Sequence, residues 1–182
     1  MAIIRRQNFK NSDSETINNI ALIDTPEKLL KFAVAQDITL VPFDVNAIAE
    51  KFGIKIQSIN MEDDLSGILS KTEQGGWVIQ VNEKHHSNRQ RYTIAHELGH
   101  FCLHRHLQTT FEDQIFFRGV ESCKKEWQAN EFASAILMPE DEFRAMVRLG
   151  KNDIEGLAQE FEVSTLALRI RAKSLGMSGH GL

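Results

Sequence analysis

Two histidines four positions apart, with a glutamate directly after the first, restrict the fold of this 182-residue chain more than any other feature. They are His96 and His100, with Glu97 between them. On an α-helix, positions i and i+4 lie on one face about 6 Å apart along the axis, so both imidazoles can bind one ion while Glu97 projects beside it. Ile94 and Leu98 give the same helix an apolar face to bury. The pattern predicts a helix with a metal site suited to hydrolysis.

Catalytic zinc usually has three protein ligands, so the chain must supply one more. The candidates are His104, His106 and Glu126. His104 follows His96 by about 12 Å along the helix axis, which is too far for both to bind one ion if the helix continues. His106 would complete a longer histidine motif, but that motif needs a glycine where Leu103 stands, so that the helix can end and turn back. Neither histidine is therefore favoured.

Glu126 is the favoured third ligand, because Asn130 follows it by one helical turn. An amide at that position can hydrogen-bond the second ring nitrogen of a metal-bound histidine and so orient the ring. The alternative carboxylates nearby are Glu121 and Glu131. We expect His104 to pack against the site or to orient a ligand rather than to bind the ion.

Composition and charge exclude several classes of protein. The net charge of −4 provides no overall attraction to nucleic acid or to anionic membranes. No run approaches the roughly 18 apolar residues of a membrane span, and the N-terminus lacks the apolar core of a signal peptide. Cys102 and Cys123 lack CxxC partners and are predicted to be reduced and buried. We therefore expect a cytoplasmic protein without a membrane segment.

The periodicity along the chain predicts an α+β fold. Helical patterns come first, followed by strand patterns at residues 54–59, 65–70 and 77–81, and then by further helices. A polar loop at residues 71–76 ends in two glycines and is typical of a hairpin. The simplest assembly is a small antiparallel sheet of about three strands, packed with the histidine-bearing helix and the other helices. Residues 77–82 are predicted to be an exposed edge strand, with which a peptide could pair.

Three motifs resemble the ImmA/IrrE family of zinc metallopeptidases of bacteria, their phages and mobile elements. They are RQRYTIAHELGHFCLH at residues 89–104, EWQANEFASAILMP at residues 126–139 and LAQEFEVSTLALRIRAKSLG at residues 157–176. The resemblance covers about residues 38–176, and the long polar N-terminus has no counterpart in it.

The resemblance implies a catalytic Zn²⁺ ion bound by His96, His100 and Glu126, with Glu97 as the catalytic acid and base. Family members of known role cleave a helix-turn-helix transcriptional repressor and thereby derepress stress-response or mobile-element genes. The expected function is therefore that of a zinc-dependent endopeptidase, whose protein substrate is such a repressor. Manganese or iron in place of zinc is an alternative.

Three regions are predicted from these patterns. Residues 1–37 form an N-terminal arm and helix, residues 38–150 a zincin-like metallopeptidase core, and residues 151–182 a helical element packed on the core. The last region is similar to a helix-turn-helix, with a small apolar core and a basic second helix. The predicted core residues are Leu157, Phe161, Val163, Leu166, Leu168 and Ile170, and the basic residues are Arg169, Arg171 and Lys173.

The rival interpretation is a non-proteolytic, zinc-binding regulator or antitoxin-like protein that binds DNA or a partner protein. The second helix of the C-terminal pair would then lie in the major groove of DNA. Direct DNA binding is not favoured, because Glu162 stands where the turn of such a motif usually has glycine and because the chain is acidic. The presence of Glu97 favours hydrolysis, since a purely structural metal site has no use for a general base.

Overall fold

A computed structural model describes residues 20–114, 120–150 and 153–177. The described residues form seven helices and four strands, which confirms the α+β class. The helices are α1 (Pro26–Ala35), α2 (Val45–Lys51), α3 (Ser87–His104), α4 (Val120–Leu137), α5 (Glu140–Arg148), α6 (Ile154–Glu160) and α7 (Thr165–Ser174). The strands are β1 (Ile54–Ile59), β2 (Leu65–Lys71), β3 (Trp77–Asn82) and β4 (Thr110–Gln114). Most of the predicted N-terminal arm, residues 1–19, lies outside the described residues.

The four strands form one mixed sheet in the order β1-β3-β2-β4. A short loop joins β2 to β3, so these strands form an antiparallel hairpin, and β4 pairs antiparallel with the other side of β2. The remaining strand, β1, pairs parallel with β3, with Ile56 opposite Ile79. The small sheet predicted from the sequence is present, but it has a fourth strand and one parallel pair. An alternating pattern identifies a strand and not its partner, which is why periodicity did not reveal this pair.

The position of β3 overturns one expectation about peptide binding. Residues 77–82 were predicted to form an exposed edge strand, but β3 pairs with β1 on one side and with β2 on the other. Within the described part of the sheet, the edges are β1 and β4. The prediction is wrong because a hairpin loop shows that two strands are neighbours without showing what lies on their far sides.

Helix α3 lies between the sheet and α4, and a glycine permits close approach on each side. A Cβ atom at Gly67 of β2 would lie only 2.4 Å from the Cγ2 atom of Thr93 on α3. On the opposite side of α3, a Cβ atom at Gly99 would lie 3.1 Å from the carbonyl oxygen of Ala129 on α4. Such short separations leave no space for a side chain. The buried middle of α3 is therefore held tightly on two sides.

The C-terminal pair, α6 and α7, packs through some of its predicted core residues and exposes others. Leu157, Phe161 and Leu168 are fully buried, and the Phe161 ring stacks on that of Phe143 with 5.7 Å between ring centroids. Leu166 and Ile170 were predicted to be core residues, but they are 67% and 57% exposed. The prediction is wrong for these two residues because α7 carries more apolar residues than its one buried face can hold.

The turn between α6 and α7 is attached to the N-terminal part of α3. Glu162 adopts a left-handed backbone conformation with φ of 52°, at the place where glycine is usual. Its carboxylate lies 3.6 Å from Nε of Arg91 on α3, and Asn88 donates a side-chain hydrogen bond to the carbonyl of Val163. These contacts place the C-terminal pair beside the beginning of the histidine-bearing helix.

The two cysteines differ in burial. Both thiols are free, but only Cys102 is buried, and burial raises its pKa to about 12. Cys123 is exposed, so the prediction of two buried thiols is wrong for that residue. Among the described residues, no helix is both long enough and apolar enough to cross a membrane.

Candidate metal centre

Three predicted ligands meet between α3 and α4. The Nε2 atoms of His96 and His100 lie 3.0 Å apart, and Oε2 of Glu126 lies 3.0 Å from the first and 3.3 Å from the second. All three side chains are buried. In the described parts of the chain, this is the one group of three His, Cys, Asp or Glu residues whose ligand atoms could hold a metal, and those atoms lie within 4.8 Å of one another.

The ring of His96 is oriented by Asn130, also on α4. The Nδ1 atom of His96 lies 3.2 Å from Oδ1 of Asn130, and the hydroxyl of Tyr92 donates to the same oxygen at 3.2 Å. Because an amide oxygen can only accept, Nδ1 of His96 must carry the hydrogen. The lone pair of His96 is therefore on Nε2, the atom that faces Glu126.

A longer chain of hydrogen bonds orients His100. The Nδ1 atom of His100 lies 3.1 Å from Nδ1 of His104, whose Nε2 lies 3.2 Å from Oε1 of Gln128. The amide oxygen accepts from Nε2 of His104, which leaves Nδ1 of His104 to accept from His100. The lone pair of His100 is therefore also on Nε2. Phe111 of β4 stacks on the His100 ring at 4.8 Å between centroids and restricts its rotation.

This arrangement fits a bound cation. Burial by itself raises the pKa of Glu126, and hydrogens on Nε2 of His100 and His96, in a protein without the ion, would lower that pKa to about 2. A cation can take the place of these hydrogens, which keeps the carboxylate ionised and leaves it facing two imidazole lone pairs. Lone pairs that converge at such distances repel each other unless a positive ion lies among them. Two neutral imidazoles and one carboxylate form a ligand set typical of catalytic zinc.

Glu97 lies beside the centre but on the sheet side of α3. The side chain is fully buried, and its Oε1 atom lies 3.2 Å from the point that a Cβ atom at Gly67 would occupy. The absence of a side chain at position 67 therefore provides room for the carboxylate. Glu97 is therefore a buried carboxylate that directly follows a candidate metal ligand in sequence.

A comparison with models of protein families identifies the family of this chain. The family model described as an IrrE N-terminal-like domain, of peptidase family M78, matches residues 49–173. The chain belongs to this family. The match extends from α2 into α7 and includes both helices of the centre, so it confirms the resemblance to the ImmA/IrrE family. The M78 family supports a metallopeptidase-type function. A comparison with the curated proteins gives no match.

The other candidates have different positions in this M78 domain. His106 is exposed, and so is Glu131. The side chain of Glu121 lies outside the described residues. His104 is buried and contacts His100, as an orienting residue would. The structure therefore brings His96, His100 and Glu126 together and leaves His106 and Glu131 outside the group.

Sequence reasoning missed two kinds of residue at the M78 centre. Gln128 ends the hydrogen-bond chain from His100, and no helical spacing connects it to His104, which is on another helix. Gly99 lies between the two histidines and allows α4 to approach α3. A glycine inside a helix lowers helix stability by roughly 1 kcal/mol relative to alanine. Its presence between the two histidines could therefore have indicated a packing role at this position.

We expect Gly99→Ala to weaken metal binding more than it weakens folding. The new Cβ would lie 3.1 to 3.2 Å from Ala129 and 3.2 Å from Phe132, so α3 and α4 must separate slightly. Overpacking lowers the free energy of unfolding by about 1–3 kcal/mol, and the better helix propensity of alanine offsets about 1 kcal/mol of this loss. The ligands come from both helices, so metal affinity should fall about tenfold or more, as measured by competition with a chromogenic chelator.

Gly76→Ala is the matched control for this change. Gly76 lies in the β2–β3 loop, where an added Cβ would meet the Thr72 hydroxyl oxygen at an ordinary 3.5 Å. The control should bind metal like the parent protein. Unchanged metal affinity in Gly99→Ala would contradict the idea that this glycine sets the distance between the two helices.

Proposed function

We propose that this M78 domain is a zinc-dependent endopeptidase that cleaves a regulatory protein in the cytoplasm. The observation that carries the proposal is the convergence of two imidazole lone pairs and an ionised carboxylate next to the buried Glu97. A structural metal site needs four protein ligands and no base, whereas a catalytic site has three and an open position. Three ligands with an adjacent carboxylate correspond to the second kind of site.

The chemistry follows from the roles of individual residues. Bound by His96, His100 and Glu126, a zinc ion would lower the pKa of water toward about 7 and polarise the substrate carbonyl. Glu97 accepts the proton of the attacking water and then donates it to the leaving amine of the cleaved peptide bond. Asn130 and His104 hold the histidine rings in place, so the ligand atoms need no rearrangement during the reaction.

The proposed substrate is a helix-turn-helix transcriptional repressor. This part of the proposal rests on the likeness to the ImmA/IrrE family, whose members of known role act on such repressors. Cleavage would relieve repression of the genes that the repressor controls. The rival interpretation, DNA binding by the C-terminal pair, loses one of its three predicted basic residues, because Arg171 is half-buried and donates to the carbonyl of Met138, whereas Arg169 and Lys173 are exposed.

A cleavage assay tests the proposal. The zinc-loaded protein is incubated with a helix-turn-helix repressor from the same genome, and the products are identified by mass spectrometry. We expect cleavage at one position, loss of cleavage with a chelator, and recovery when zinc is restored. Cleavage that persists after complete removal of the metal would contradict the proposal, and so would a repressor that stays intact at every zinc concentration.

A further inference from the structure

A cavity of about 770 Å³ opens beside the candidate metal centre. Three parts of the chain form its walls: the beginning of α3, one face of α4, and the C-terminal pair. Its lining includes Tyr92, Asn130, Ser134, Val163, Leu166 and Ile170. Cavities that bind small molecules or peptide side chains have volumes in this range, roughly 300–1,000 Å³.

The cavity and the candidate metal centre share a wall. The hydroxyl of Tyr92 donates to Asn130, and the same oxygen of Asn130 lies 3.2 Å from Nδ1 of His96. Both Tyr92 and Asn130 also line the cavity. The cavity is therefore separated from His96 by the side chain of Asn130, on the Nδ1 side of the ring.

The far wall of the cavity is aliphatic and exposed. Leu166 and Ile170 are one turn apart on α7 and therefore on one face of it, with Ala167 between them lining the same space. Both large side chains are more than half exposed, which leaves apolar surface in water. Trp127, 63% exposed, lies one helical turn before the lining residue Glu131 on α4. Clusters of exposed aliphatic and aromatic residues are typical of protein-binding sites.

The charges around the cavity argue against a nucleic acid as its occupant. The cationic residue in the lining, Arg89, donates through Nη2 to the hydroxyl of Ser66, and Glu131 places a carboxylate at the same cavity. A phosphate backbone needs several free cations in one direction. The cavity offers aliphatic carbon instead, and apolar side chains are the groups that this surface would exclude from water.

We propose that this cavity binds aliphatic side chains of the protein substrate next to the scissile bond, and that α7 is a substrate-docking wall. This inference rests on the proposed function and specifies its substrate: a segment with leucine, isoleucine or similar residues on one side of the cleavage site. It also gives the C-terminal pair a role. A helix similar to a DNA-recognition helix presents Leu166 and Ile170 to the substrate in place of basic residues to DNA.

The test measures binding separately from cleavage. The probe is a short fluorescein-labelled amphipathic peptide with leucines on one helical face, and the matched probe has serine at each leucine position. Metal-loaded Glu97→Gln protein binds the probe without consuming it, and anisotropy gives the affinity. We expect the leucine probe to bind about tenfold or more tightly than the serine probe, since few buried side chains carry most of the affinity at such sites.

The double variant Leu166→Ser with Ile170→Ser, in the same Glu97→Gln protein, should bind the leucine probe about tenfold or more weakly. Both side chains are exposed, so the fold should be retained, and metal content together with thermal unfolding verifies this. The matched control is Leu22→Ser with Val34→Ser, which also replaces two exposed aliphatic residues, 67% and 60% exposed, but away from the cavity. This control should bind like the parent.

The outcomes separate the two proposals. Equal affinity for both probes, or unchanged affinity in a folded Leu166→Ser/Ile170→Ser protein, would overturn the docking proposal. Duplex DNA that displaces the probe, with DNA binding lost in Arg169→Ser/Lys173→Ser, would overturn it in favour of nucleic-acid binding. If the leucine probe binds at α7 but the wild-type protein cleaves no peptide or repressor, docking stands and the peptidase proposal fails. If the wild-type protein cleaves peptides without preference for aliphatic residues, the peptidase proposal stands and the docking proposal fails.

Discussion

Replacing Glu97 by glutamine should abolish peptide cleavage and leave the metal in place. Glutamine has nearly the shape of glutamate and fits the space beside Gly67, but its amide cannot take a proton from water at neutral pH. General acid–base catalysis contributes about 10²- to 10⁴-fold, so the cleavage rate should fall by at least about 100-fold. The three proposed ligands are untouched, so zinc content after purification should match that of the parent protein.

The measurement combines elemental analysis with a quantitative cleavage assay on the same preparation. Glu73→Gln serves as the control, because Glu73 is an exposed glutamate in the β2–β3 loop, outside both the ligand group and the cavity lining. It should retain both zinc and activity. A Glu97→Gln protein that cleaves as fast as the parent would show that another residue is the base. Loss of zinc together with activity would instead assign Glu97 to the binding of the ion.

Glu126→Ala should empty the site, whereas His106→Ala should stay loaded. Glu126 contributes an anionic oxygen within 3.3 Å of both imidazoles, and its removal leaves only two ligands. Loss of a residue that merely orients a ligand weakens metal binding by about 10- to 100-fold, and loss of a ligand should exceed that. His106 is exposed, so its removal should not change zinc affinity. Competition titration with a chelator of known affinity measures both variants.

The opposite result would show that Glu126 is not the third ligand. If His106→Ala loses zinc while Glu126→Ala retains it, the exposed histidine must turn into the site when the ion binds. Far-UV circular dichroism of metal-free Glu126→Ala is needed as well, because α3 and α4 pack through this part of the molecule. A folded variant without zinc assigns the effect to the lost carboxylate rather than to loss of structure.

Much of the centre was predictable because its signals are local. His96, Glu97 and His100 belong to one helix, where spacing determines which side chains share a face. The pairing of Glu126 with Asn130 is also a spacing on one helix, and the structure brings both residues to His96. The alternation in three strands likewise predicted strands that are present.

The unpredicted features all depend on contacts between elements. The parallel pairing of β1 with β3 follows from the position of β1 beyond the hairpin, which alternation does not encode. The chain from His100 through His104 to Gln128 crosses from one helix to another. The exposure of Leu166 and Ile170 depends on which apolar face of α7 meets the rest of the protein, and the sequence offers two such faces. Tertiary packing decides each of these cases.

The arrangement on α4 has a consequence for insertions and deletions. Glu126, Gln128 and Asn130 supply one proposed ligand and both amides that orient the histidines, all within five consecutive positions of one helix. One residue inserted between Glu126 and Asn130 would rotate everything on one side of it by about 100° around the helix axis. It would disrupt contacts to both histidines in a single step. Substitution of Gln128 or Asn130 should therefore weaken this centre in part, whereas a change of one residue in the length of α4 at this point should remove it altogether.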